Sequence, residues 1–241
     1  FGGTMIKAFV FDIDNTLYSY DTSHKTAFQA VTDYVCPAFG LAPDEFTALH
    51  RQGDRLLRQR VGSVTAAIHN RLIRYQIILE ELGQPIRHAP VMASLYWSTF
   101  LAAMEPGPGL RECLDSLKAQ GFTLGVGTNM TAEYQYAKLE KLGILDAVDF
   151  MVSSEEAGAE KPERRLFDFC AGKAGCTPGE CVFVGDSLEF DARGSLAAGM
   201  IPVWLCPEDR PCEPPIRRIA SLAELPGLAA ALSPSGKESA Q

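Results

Sequence analysis

Ala8-Phe9-Val10-Phe11-Asp12-Ile13-Asp14-Asn15-Thr16-Leu17 is the stretch on which the reading of this chain turns. It opens as an apolar, β-branched and aromatic run, the pattern of a strand buried on both faces in a parallel sheet. It then delivers two carboxylates, Asp12 and Asp14, two positions apart, which strand geometry sends to the same side. Ligands of open α/β sheets sit beyond the carboxyl ends of the strands, and these acids fall there. Taken alone, the decapeptide also fits a strand followed by an Asp/Asn turn, so the remainder of the chain decides.

The 241 residues suffice for one large domain, or a core with a modest insert. A hydrophobic content of 46% with 22% charged residues is that of a soluble globular protein. The net charge of -8 argues against a general nucleic-acid or anionic-membrane binder, which needs a basic surface. An anionic small molecule stays compatible, because local cations or a metal can reverse the field within one cleft. Seven cysteines without a CxxC pair point to reduced thiols in a cytoplasmic protein rather than a disulfide framework or zinc site; Cys206 and Cys212 flank a short Pro-rich loop and are a candidate pair. No apolar run approaches membrane-spanning length, and no signal peptide is expected. Phe1 to Thr4 precede the first Met and are read as foreign to the natural chain.

Between Tyr18 and Met104 the strand signal stops. Helical spacing predicts a helix over Thr22–Phe39, a second from Pro43 with the stripe Phe46, Leu49, Leu56 and Leu57, a third over Thr65–Leu82 and a fourth over Ala89–Met104. Short Gly/Pro breaks between them suggest a small helical bundle. Its arginines are concentrated: Arg51, Arg55, Arg58, Arg60, Arg71 and Arg74 lie in a span whose one acid before Leu79 is Asp54. Arg51, Arg55 and Arg58 share one helical face. That face is either simply solvated or a reach into the cleft toward a second anionic group of a substrate. The four histidines have no partner at metal-ligand spacing, and Tyr96 and Trp97 read as packing residues.

From Pro106-Gly107-Pro108-Gly109 onward strands and helices alternate. This break and Tyr18–Asp21 form two crossings between insert and core, which makes both hinge candidates. Phe122–Gly127 is a strand ending in Thr128-Asn129, a hydroxyl and an amide where a helix should begin, a place suited to a phosphate. Lys161-Pro162 precedes a helix over Glu163–Ala174. Cys181–Gly185 is another buried-type strand, running into Asp186 and Asp191, and Ile201–Leu205 gives one more. Residues 233–241 are polar and predicted to be disordered.

Three strand ends thus carry acids or a hydroxyl in a fixed order. In that order the sequence closely resembles the haloacid dehalogenase superfamily. DxDxT is Asp12-Ile13-Asp14-Asn15-Thr16, the strand-end Thr is Thr128, the Lys is Lys161, and GDxxxxD runs from Gly185-Asp186 to Asp191. The resemblance covers the core; the insert matches in placement and helical character only. It implies a three-layer Rossmann-like α/β core with a parallel sheet, residues 5–17 and 105–232, and a helical cap, residues 18–104.

It also implies Mg²⁺-dependent hydrolysis of a small phosphorylated metabolite, with no nucleic-acid or membrane partner and with oligomeric state left open. Asp12 would be the nucleophile, forming an aspartyl-phosphate. Asp14 would protonate the leaving alcohol and then take a proton from water. Asp12, Asp186 and Asp14, the last through its main-chain carbonyl, would bind the metal. Thr128, Asn129 and Lys161 would hold the phosphate, and Asp191 would support the metal shell or orient Lys161. The dehalogenases of the superfamily lack an acid at the second position, so Asp14 favours phosphate transfer. The cap's sole lysine, Lys25, is placed too early for the Schiff-base lysine of the phosphonate-cleaving branch. A phosphomutase, a phosphotransferase or a binding protein without turnover shares this core.

Overall fold

The computed structural model describes residues 5–232. The expectations for residues 1–4 and 233–241 lie outside the described residues. Strand β1 (Ala8–Phe11) is buried at every position. It lies between β2 (Thr123–Thr128) and β4 (Cys181–Gly185); β3 (Phe150–Ser153), β5 (Ile201–Leu205) and β6 (Arg217–Ile219) complete a six-stranded sheet of order β3-β2-β1-β4-β5-β6. Every pairing is parallel. Side-chain alternation divides the strand between two layers. Phe9 and Phe11 pack with the helix α5 (Leu110–Ala119), while Ala8 and Val10 pack with Phe167 and Cys170 of the helix α8 (Arg164–Ala174). This is the three-layer α/β core expected, and it explains why the strand reads as continuously apolar.

Four helices lie between β1 and α5: α1 (Tyr20–Phe39), α2 (Pro43–Val61), α3 (Arg71–Glu81) and α4 (His88–Ala102). The third expected helix is divided. A single 3-10 turn, Ala66–His69, precedes α3, and the Asn70 side chain accepts from Ile73 N, capping α3 where a continuous helix would have to pass. The two crossings are bonded to each other: Gly107 N donates to the Leu17 carbonyl at 2.8 Å, and Tyr18 bridges to Pro106. Asn15 turns the chain with φ 59, a conformation that Asn tolerates. Its Oδ1 accepts from Tyr20 N at 2.9 Å, which anchors the start of α1 to the acidic motif.

After β2 come α6 (Ala132–Lys141), the single turn α7 (Ser154–Ala157) after β3, a π-helical turn (Leu188–Arg193) after β4, and α9 (Gly194–Ala197). Strand β6 and the final helix α10 (Leu225–Leu232) were not expected from the sequence. A three-residue edge strand with two arginines has no periodicity of its own; its pairing with β5 creates it. All seven cysteines are free; the two sulfurs that approach, at 3.1 Å, are Cys176 and Cys181 rather than Cys206 and Cys212. No helix among the described residues is long and apolar enough to cross a membrane.

Candidate active site at the carboxyl ends of the strands

Phe11 lies opposite Val126 and Val184, so the residues that follow, Asp12, Thr128 and Asp186, emerge at one end of the sheet. Asp12 is buried, and its Oδ1 accepts from Lys161 Nζ at 2.5 Å. Lys161 Nζ also donates to Asp191 Oδ1 at 2.7 Å. Ser187 N donates to the second Asp191 oxygen at 3.0 Å, holding that carboxylate in place. Gly185 makes room for it, since a Cβ there would lie 2.3 Å from Asp191 Oδ2. Thr16 ties the two motifs together: its Oγ1 accepts from Asp186 N at 3.1 Å and lies 3.4 Å from Asp12 Oδ2.

Burial raises the Asp12 carboxyl to about 7; Lys161 pulls it down, and Asp191, Asp14 and Asp186 push it up. Burial, then Asp191, raises Asp186 to about 6. Lys161 is held firmly as a cation, because Asp12 and Asp191 outweigh the burial that opposes its charge. Carboxylate oxygens of Asp12, Asp186 and Asp191 all lie within 4.8 Å of one another. This all-oxygen, mutually repelling set fits a hard divalent cation. Both Asp191 oxygens accept hydrogen bonds, and Asp12 is held by Lys161 and Thr16, so a cation bound here would compete with those contacts.

Asp14 leaves this cluster. Its Oδ1 accepts from Lys138 Nζ at 2.6 Å and from the Tyr18 hydroxyl, so its side chain is not part of the metal set. Lys138, on α6, is fully buried and lies 5.5–6.0 Å from the ring centres of Tyr18, Tyr20, Trp97 and Phe100. The sequence reading missed this residue. Its signal is a stripe at helical spacing, Gln135, Lys138, Leu139 and Leu142, in which two polar residues occupy inward positions.

The strand end after β2 differs in detail from the expected phosphate cradle. Helix α6 starts at Ala132, not directly after Asn129. Thr128 Oγ1 accepts from Gln135 Nε2 at 2.6 Å, and the Asn129 side-chain oxygen accepts from Lys161 N at 2.8 Å. Asn129 therefore fixes the segment that carries Lys161. Met130 N and Ala132 N are engaged by Ser154 and Glu155, so those two N–H groups are not free for a phosphate.

Among the cap arginines, Arg51, Arg55 and Arg58 are exposed on α2, and Arg58 pairs with Asp54. The structure does not bring them to the acids. Arg71 and Arg74 of α3 are the buried ones. A cavity of about 650 Å³ borders Thr16 and Asp186 and extends past Trp204 to Arg210; Asp12 and Asp14 do not line it.

The family of haloacid dehalogenase-like hydrolases matches residues 6–199. The chain belongs to that family. This hydrolase is 34% identical over 208 residues to a ribulose-1,5-bisphosphate 5-phosphatase of Halopiger xanaduensis, covering 85% of this chain and 87% of the relative. It is 33% identical over 206 residues to a glyceraldehyde 3-phosphate phosphatase of Methanopyrus kandleri, covering 83% of each. Such relatives place the hydrolase among the family's phosphatases. A solved 2-haloacid dehalogenase of Pseudomonas syringae pv. Tomato superposes with a TM-score of 0.76 at 26% identity, over 95% of this chain and all of that one.

Proposed function

We propose that this phosphatase hydrolyses short phosphorylated sugars or polyols through an aspartyl-phosphate on Asp12, with Mg²⁺ as cofactor. One observation carries the reading: Asp12, Asp186 and Asp191 converge, with one buried lysine bonded to Asp12 and Asp191, while Asp14, two residues from Asp12, is held apart by its own partners. The relatives' names, one a ribulose bisphosphate phosphatase and one a glyceraldehyde 3-phosphate phosphatase, support the substrate class.

In the first step an Asp12 oxygen bonds to phosphorus as the ester P–O bond breaks, and Asp14 delivers a proton to the leaving alcohol. In the second, Asp14 takes a proton from water as that water attacks phosphorus, which frees Asp12 and releases orthophosphate. Lys161 neutralises charge beside Asp12, and Asp191 keeps it there. Asp12, Asp186 and the Asp14 main-chain carbonyl would hold a divalent cation, which when bound neutralises the transferring phosphoryl group. We assign residues 18–104 as a cap that closes over the acids and excludes bulk water. The free cysteines fit a reducing, cytoplasmic compartment.

Phosphate release with Mg²⁺ from a panel of sugar and polyol phosphates tests this. The parent protein should turn over, Asp12→Asn should lose release at unchanged melting temperature, and a quenched reaction should carry one phosphoryl group on the peptide containing Asp12. Release by Asp12→Asn at the parent rate would remove the nucleophile assignment.

A further inference from the structure

Arg71, the first residue of α3, is 8% exposed and forms no ion pair among the described residues. Its Nη2 donates to the hydroxyls of Tyr20 at 2.8 Å and Tyr96 at 3.0 Å, and its guanidinium lies 4.5 Å from the Tyr96 ring centre. Its Nε and Nη1 are buried without an acceptor among the described residues. The same is true of Arg74 Nε, His50 Nε2 and the Tyr75 hydroxyl. Buried donors are normally satisfied, and so many orphans gathered on two neighbouring helices mark a place built to receive acceptors.

The charge is unbalanced as well. Arg74 pairs with Asp54 at 2.6 Å, so two guanidiniums face one carboxylate. Burial first, then the fields of Arg71 and Arg74, hold His24 and His50 neutral, down at about 4 and about 3. Asp21, the one acid acting on His24, is exposed and forms no ion pair among the described residues. Water can satisfy a hydrogen bond, but it does not neutralise a buried cation; an anion does both. Guanidinium is also the side chain best suited to a phosphate or carboxylate.

Two chains of contacts link the cluster to the reacting acids. The Tyr20 ring centre is 5.8 Å from Lys138 Nζ, which binds Asp14, and the Tyr20 hydroxyl binds Arg71. His69, two residues before Arg71, bonds to Glu160, the neighbour of Lys161. We infer that Arg71 receives a second anionic group at the far end of the substrate, so that the preferred esters carry a further phosphate or carboxylate a few bonds from the scissile one. The inference rests on the proposed reading of the acid cluster as a phosphomonoester site.

Phosphonates, whose C–P bond is not hydrolysed, separate the two. With Mg²⁺ present, the full chain is titrated calorimetrically with propylphosphonate and with bisphosphonates and phosphonocarboxylates having spacers of three and five carbons. A doubly anionic ligand should bind about tenfold or more tightly than propylphosphonate. Arg71→Gln should lose that difference and Arg71→Lys keep part of it; whichever series binds better identifies the second group as phosphate or carboxylate. Equal binding of all ligands by the parent protein, which needs no variant to fold, would overturn the assignment. So would full discrimination by Arg71→Gln. Discrimination without phosphate release from any ester overturns the hydrolytic reading alone; release without discrimination overturns the Arg71 assignment alone.

Discussion

Lys138 shows how much one buried cation can fix. It leaves Asp14 a single bonded orientation, and the surrounding aromatic rings leave the ammonium little room to move. An acid misplaced by about 1 Å costs on the order of a hundredfold in rate. Lys138→Met, which keeps the volume, should therefore lower kcat by about tenfold to a hundredfold with little change in KM; an unaltered kcat would show that Asp14 does not depend on it. The Asp12–Asp186 pair makes a second prediction. Both carboxyls sit above the ordinary value of 3.8. In the metal-free protein they favour folding at low pH, and that contribution is lost as pH rises through about 6 and about 7. Binding a cation requires the same two protons to leave, so Mg²⁺ affinity should rise between about pH 5 and about pH 8 with net proton release. Calorimetry in buffers of different ionisation enthalpy measures both; equal affinity at the two values would contradict the buried pair.

At the scale of elements, the packing of α2 on α3 depends on Gly53. A Cβ there would approach Ile78 Cγ1 to 2.7 Å, so the absence of a side chain lets the two helices sit close. Gly53→Val should destabilise the cap by about 1–3 kcal/mol through overpacking, read as a lower melting temperature; an unchanged one would mean that α3 shifts freely. The same contact holds α3 with Arg71 at its first position, which connects a helix-packing detail to the chemistry of the cleft. Asn70 belongs to this account, because by ending the preceding turn it sets where α3 starts and where Arg71 points.

The molecule as a whole is joined across the cleft by few but specific contacts. Trp97 of the cap stacks on Tyr134 of the core with centroids 3.9 Å apart, and His69 reaches Glu160. The crossings are tight: a Cβ at Gly107 would lie 2.9 Å from the Leu17 carbonyl oxygen. Two crossings that are hydrogen-bonded to each other would restrict any motion of the helical unit to a rotation as one body. Trp97 and Trp204 are the two tryptophans of the chain. In Trp204→Phe, the emission of Trp97 should change when Mg²⁺ and a phosphonate are added, as the stack with Tyr134 is remade or broken. An emission that stays constant at ligand saturation would argue for a cap fixed on the core.

The amino-acid sequence by itself determined the core strands β1, β2, β4 and β5, the helical character of the stretch that follows β1, and the strand-end or pre-helix positions of the candidates Asp12, Asp14, Thr128, Lys161 and Asp186. The reason is local: a strand buried on both faces is apolar throughout, and the acids at its end have no structural use that would hide them in a pattern. Tertiary structure alone decided what those acids touch. That Asp14 binds Lys138, that Asn129 holds the Lys161 backbone and that Arg71, not Arg51, Arg55 or Arg58, is buried are contacts between elements far apart in the chain. Helical spacing states which residues share a face and is silent on what that face meets. Strand β6 marks the limit on the fold side, since three residues become a strand only when β5 offers them its edge.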